Sequence, residues 1–162
     1  LNDKYDLNIE LNVYLNMYRD HKPQIHLAED VKITISKLHL ANIVLGIITD
    51  GRQITQQNKI EALGLKKYIS IDNILVSEAF GFSKPNKEAY LYFEKKYPDG
   101  EYFYIGDNTN KDFIAPNLLN WETICLLDTG DNIHKQVFQS NGADPKYVIK
   151  SFIELEKIIF LS

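Results

Sequence analysis

YFYIGDNTNKD, residues 102–112, is the stretch on which the reading of the whole chain turns. Its first four residues are aromatic or β-branched, with Asp99 and Gly100 before them and Gly106 after, the pattern of a short buried strand. Gly106 is expected to let the backbone turn sharply at the strand's C-terminal end. Asp107 then falls in the loop where open α/β sheets bind their ligands. A second acid, Asp112, follows five residues later. Two acids in such a loop suggest a cation or a proton.

Working outward, IVLGII at residues 43–48 is a continuous apolar run, as expected of a parallel strand covered on both faces, and it ends in Thr49, Asp50 and Gly51. Shorter strands are predicted over 74–76, 123–127 and 147–149. Helices are predicted over 6–19, 28–38, 55–63, 87–96 and 113–119, the last despite Pro116. A terminal helix to residue 160 opens at Ser151, with Glu154 three residues on as a capping box. The first helix carries an apolar stripe of Leu7, Leu11, Tyr14, Leu15 and Tyr18, which needs a partner. Strands alternating with helices call for a mostly parallel sheet, right-handed crossovers and helices on both faces.

The composition is that of an ordinary globular domain: 162 residues, 44% hydrophobic and 25% charged. A net charge of -4 argues against nucleic acid or a membrane surface as partner. No apolar run of about 18 residues suggests a membrane span, and a cytoplasmic location is expected. Cys125 lies inside an apolar run and reads as a buried, inert thiol, with His21, His26 and His39 scattered without metal-ligand spacing. The first residue is Leu1 and not Met, as in a processed chain or a piece of a longer one.

Three of the predicted loops should share one edge of the sheet: Thr49-Asp50-Gly51, the loop bearing Lys84, and Gly106-Asp107. A threonine hydroxyl with the following backbone N–H groups, beside a lysine, suits a phosphate, because an oxyanion wants convergent donors and positive charge. Aspartates opposite suit Mg²⁺, which binds through a few carboxylates, water and the substrate's phosphate. Singly, each residue has an ordinary reading: a strand-end threonine, a solvated lysine, a helix-start acid. Their order along three strand ends outweighs those readings.

That combination resembles the haloacid dehalogenase superfamily of phosphohydrolases. IVLGIITDG at 43–51 is similar to its second motif, GFSKP at 81–85 to its lysine-proline loop, and YIGDNTNKD at 104–112 to its fourth motif. The resemblance implies a Rossmann-like three-layer α/β sandwich over residues 25–162, with residues 1–24 as the remnant of a helical cap. It also implies roles. Thr49 and the backbone of Asp50 and Gly51 would hold the phosphoryl group, and Lys84 would neutralise it. Asp107 would bind Mg²⁺, and Asp112 would reach the metal through water or orient Lys84. The substrate would be a small phosphorylated metabolite, and the route would run through a phospho-aspartyl intermediate.

The family's first motif, an Asp-x-Asp at the end of a central strand, has no counterpart: none of the twelve aspartates has another two residues away. The chain is therefore expected to be inactive alone. A preceding segment or a partner would supply the central strand, or the sheet would close by pairing 43–48 with 102–105. The alternative function is a non-catalytic module binding phosphate and Mg²⁺. A response-regulator receiver is disfavoured by the order of its residues, and a nucleotide-binding P-loop at Gly46 by the missing lysine.

Overall fold

Apolar runs and amphipathic segments alternate along the chain, and the computed structural model, which describes residues 10–130, 135–138 and 142–160, turns them into strands and helices in that order. Helices α1 (Leu11–Asp20) and α2 (Glu29–Leu40) precede β1 (Ile47–Thr49) and α3 (Gln53–Ala62). Then come β2 (Ile74–Val76), a single-turn α4 (Ser77–Phe80) and α5 (Glu88–Lys96). The last third holds β3 (Phe103–Gly106), α6 (Ile114–Leu118), β4 (Glu122–Leu126), β5 (Tyr147–Ile149) and α7 (Leu155–Ile159). Pro116 is accommodated because it sits in the first turn of α6, where its missing N–H has no carbonyl to meet. The predicted capping box is formed: Ser151 and Glu154 exchange side-chain and backbone bonds across a 3₁₀ turn that leads into α7.

All strand pairs are parallel, but the sheet is in two pieces. β1 pairs with β2, and β3–β4–β5 form a second ladder. The expected closure by pairing 43–48 with 102–105 does not occur. Each of β1 and β3 therefore has one edge without a strand neighbour among the described residues.

The apolar run at 43–48 also differs from its reading as a strand covered on both faces. Only its last two residues join the ladder, every residue of β1 is partly exposed, and Val44 is 56% exposed. The cause is the missing neighbour. β4, paired on both sides, buries Thr123, Ile124 and Cys125 completely.

Side-chain alternation along the strands sends residues to two faces. On one face a single core spans both pieces: Ile48 and Tyr104 pack with Leu75, Phe93 and Trp121. Gly46 lets α5 come close there, since a Cβ would lie 2.7 Å from the Phe93 ring. The other face is divided. Leu45, Ile47 and Ile74 join Ile60 and Leu65, while Phe103, Ile105 and Leu126 join Ile124, Ile149 and Leu155. Polar contacts bridge that division at its rim, with Lys37 Nζ 2.7 Å from Glu156 and Asp30 accepting from the Ser151 hydroxyl at 2.8 Å.

Of the stripe on α1, Leu11 is 71% exposed and Leu15 37%, while Leu7 lies outside the described residues. No helix among the described residues is long and apolar enough to cross a membrane.

Candidate phosphate and metal site

The C-terminal ends of β1 and β3 belong to separate sheet pieces, yet their loops meet. The Asp50 carboxylate ties them. Its Oδ1 accepts the Lys84 backbone N–H at 3.0 Å, and its Oδ2 lies 2.6 Å from Lys111 Nζ. Lys84 Nζ in turn lies 2.8 Å from Asp112 Oδ1 and donates to the Tyr104 hydroxyl at 3.1 Å. Thr49, Asp50, Lys84, Asp107 and Asp112 all line one cavity of about 370 Å³. Five of the six residues singled out from sequence thus share one wall.

Gly51 is the exception. Its N–H donates to the Ser77 hydroxyl at 3.0 Å and is not directed at the cavity. Ser77 begins α4, a helical turn between the predicted strand at 74–76 and the loop bearing Lys84, and Glu78 of that turn accepts the Gln53 N–H at 2.7 Å.

Gly106 also serves differently from expectation. It is the last residue of β3 and its backbone is not in the left-handed region, so it makes no sharp turn. What excludes a side chain is Asp112: a Cβ at Gly106 would lie 2.6 Å from Asp112 Oδ2 and 3.0 Å from its Cγ. That close approach lets Oδ2 accept the N–H groups of Asp107 at 3.2 Å and Asn108 at 3.0 Å. Asp112, 2% exposed, therefore shapes the loop that presents the exposed Asp107 and also anchors Lys84.

Charge balance follows from these pairs. Burial pushes the Asp50 carboxyl up, but the Lys111 hydrogen bond, the Lys84 N–H and both lysine charges outweigh it and hold Asp50 below the usual carboxylate range. Burial, then the Asp112 charge, push the Tyr104 hydroxyl well above its ordinary value, so it stays a neutral partner to Lys84. Burial raises Cys125 to about 11, with the charges of Asp107 and Asp112 adding to the effect. A thiol so raised is inert at neutral pH, in keeping with its reading from sequence.

Several contributors were not legible in the sequence. Lys111, Gln56 and Lys59 also line the cavity. Gln136 donates to the Asp107 carbonyl at 2.8 Å and the Leu126 carbonyl at 2.7 Å, bracing the loop from a segment with no regular structure. Lys111 had one available signal, its place between the two acids of residues 107–112; Gln136 had none.

Among the described residues no three acids, histidines or cysteines cluster as a full metal cage. The donors present nevertheless fit Mg²⁺, which takes only one or two protein carboxylates and fills the rest with water and phosphate oxygens. Asp107 is exposed and lines the cavity, and Asp112 Oδ1 is buried with no hydrogen bond beyond its ionic contact to Lys84.

Comparison with known proteins agrees with this geometry. Residues 1–125 match the family described as haloacid dehalogenase-like hydrolase. The chain is 31% identical over 128 residues to a glyceraldehyde 3-phosphate phosphatase of Methanocaldococcus jannaschii, covering 78% of this chain and 53% of that protein. It is 31% identical over 121 residues to the pyrimidine 5'-nucleotidase YjjG of Escherichia coli, covering 73% and 50%. It thus spans about half the length of these curated relatives. Among solved structures, the HAD-hydrolase YfnB of Bacillus subtilis, bound to magnesium, superposes with a TM-score of 0.66 at 27% identity over 82% of this chain and 56% of that one. A HAD phosphatase from Thermococcus onnurineus superposes with a TM-score of 0.69 at 24% identity, covering 98% and 68%.

Proposed function

We propose a function from one premise: the chain belongs to the haloacid dehalogenase-like hydrolase family. Its site is built for the phosphate and the metal of Mg²⁺-dependent phosphomonoester hydrolysis, and it lacks the nucleophile. The observation that carries this reading is the convergence of Thr49, Lys84, Asp107 and Asp112 on one cavity, with Lys84 held 2.8 Å from Asp112.

Each residue has a physical task. The Thr49 hydroxyl and the Asp50 N–H donate to phosphoryl oxygens, while the Asp50 carboxylate holds Lys84 and Lys111 in place. Lys84 offsets the charge of the bound phosphate and is kept from swinging away by Asp112 and Tyr104. Asp107, with Asp112 beside it, would hold Mg²⁺, which supplies charge neutralisation at the phosphoryl oxygens when bound. Small phosphorylated metabolites are the substrate class, a sugar phosphate or a nucleotide, in line with the names of the two curated relatives.

A second reading is a phosphate- and Mg²⁺-binding module without chemistry. It is favoured by the finding that Lys84 and Lys111, two of the three lysines lining the cavity, already have carboxylate partners without any further residue. Calorimetry tests what the two readings share. Inorganic phosphate should bind only with Mg²⁺ present, Asp107→Asn should abolish that Mg²⁺-linked binding, and Lys84→Met should weaken phosphate at least tenfold. Absence of Mg²⁺-linked phosphate binding to the unaltered chain would sink both.

A further inference from the structure

Asp107 owes its position to more than the strand it follows. β3 and β4 pair in register up to Gly106 opposite Cys125, and there their ladder ends. Just beyond, where the two strands part, the carbonyls of Asp107 and Leu126 are both met by one side-chain amide. Gln136 Nε2 donates to the first at 2.8 Å and to the second at 2.7 Å, while its Oε1 accepts the Asp128 N–H at 2.9 Å. A third neighbour of Nε2, Cys125 Sγ at 3.5 Å, is a weak acceptor. These partners fix which end of the amide is which. Reversed, its oxygen would face two carbonyl oxygens and its nitrogen would face an N–H.

We propose that Gln136 is a positioning residue for Asp107: it stands in for the next rung of the β3–β4 ladder, holds the Asp107 main chain from the carbonyl side, and so sets the Mg²⁺ affinity of the site without touching the ion. The effect on Mg²⁺ rests on the reading of Asp107 as its ligand; the hold on the loop does not.

Asp107 is held at both ends of its main chain. Its N–H donates to Asp112 Oδ2 at 3.2 Å, and its carbonyl accepts from Gln136 at 2.8 Å. With the backbone fixed in this way, only the side-chain torsions of Asp107 are left to order when a cation arrives, and less entropy is lost on binding. The hold is made at two points. Val137 N–H donates to Thr109 Oγ1 at 3.0 Å, and Thr109 is 4% exposed. Residues 136 and 137 thus grip residues 107 and 109 from 29 and 28 residues further along the chain. Neither Gln136 nor Val137 lines the charged cavity, so neither meets the ion or the phosphate directly. Groups that hold a metal ligand in place without binding the metal typically account for about 10- to 100-fold in its affinity. Gln136 acts on the backbone of a single ligand, which places its effect at the low end of that range.

The test follows backbone amides of the whole chain by NMR, with Mg²⁺ alone as the titrant. Gln136→Met keeps the length of the side chain and removes both N–H groups. Without Mg²⁺, exchange of the Asp107 and Asn108 amides should be at least tenfold faster in this variant. The Kd for Mg²⁺, read from the shifts of the same amides, should rise about tenfold. Thr109→Val, which cuts the second point of the grip, should weaken Mg²⁺ severalfold, and Thr109→Ser should restore it; this pair decides the matter if Gln136→Met does not fold. Ile149→Val, a mild truncation in the core away from the loop, controls for stability and should leave the Kd within twofold. Unchanged exchange at residues 107 and 108 overturns the hold on the loop. Faster exchange with an unchanged Kd overturns the positioning role, and so does equal weakening by Ile149→Val. An unaltered chain whose loop amides do not respond to Mg²⁺ defeats the reading of Asp107 as metal ligand and the effect on Mg²⁺ with it, whereas the exchange comparison alone decides the hold on the loop.

Discussion

β4 and β1 are both short apolar runs in parallel sheets, yet they end up in opposite conditions. β4 lies between β3 and β5, and Ile124 is fully buried. β1 has β2 on one side and no strand on the other among the described residues, and Val44 just before it is 56% exposed. Hydrophobic pattern reports what a strand would bury in a complete sheet. It does not report whether its neighbour is supplied by the same stretch of chain.

The sharpest way to test that contrast is a pair of truncations followed by urea unfolding. Ile124→Ala should cost about 4 kcal/mol, since it leaves a cavity in a closed core, whereas Val44→Ala should cost under about 1 kcal/mol. A loss above about 2 kcal/mol at Val44 would mean that this edge is covered in solution.

The loops at the strand ends extend the comparison, because the loop after β1 meets the loop after β3 through charged side chains and not through a ladder. Lys84→Met should cost about 3 kcal/mol by leaving the 3% exposed Asp112 side chain without its counter-charge, as read by thermal unfolding. Gly106→Ala should cost about 2 kcal/mol and weaken Mg²⁺ binding together, as its Cβ displaces the Asp112 carboxylate. If stability falls but Mg²⁺ binding is unchanged, Asp112 does not shape the metal loop.

Among the site residues the smallest effect is expected at Asp50, whose carboxylate is held below its ordinary range in the folded chain. A lowered folded value stabilises the protein above the unfolded value of about 4, and that contribution is lost as the pH falls through the folded one. Asp50→Asn should therefore cost about 1 kcal/mol at neutral pH, and the difference from the unaltered chain should vanish in acid. A difference that persists in acid would assign Asp50 a packing role and not an ionic one.

What could be read in advance follows the same division. Element order, the parallel pairing and the cluster of Thr49, Asp50, Lys84, Asp107 and Asp112 were legible because they depend on local pattern: apolar runs, loop residues after strands, and acids at short spacing. The reason for Gly106 was not, since it lies in the approach of a side chain six residues away and not in the glycine's own backbone angles. The bond from Gly51 to Ser77 and the brace from Gln136 were hidden as well, because they join segments 26 and 29 residues apart. The open edge of β1 was foreshadowed only by the missing Asp-x-Asp.

The central claim is that this chain holds the phosphate and metal side of a phosphoryl-transfer site without the nucleophile. A sensitive assay with Mg²⁺ and an aryl phosphate tests it most directly. The account predicts release of the aryl alcohol at the rate seen without protein, for the unaltered chain and for Asp107→Asn alike. Turnover by the unaltered chain that Asp107→Asn abolishes would contradict it.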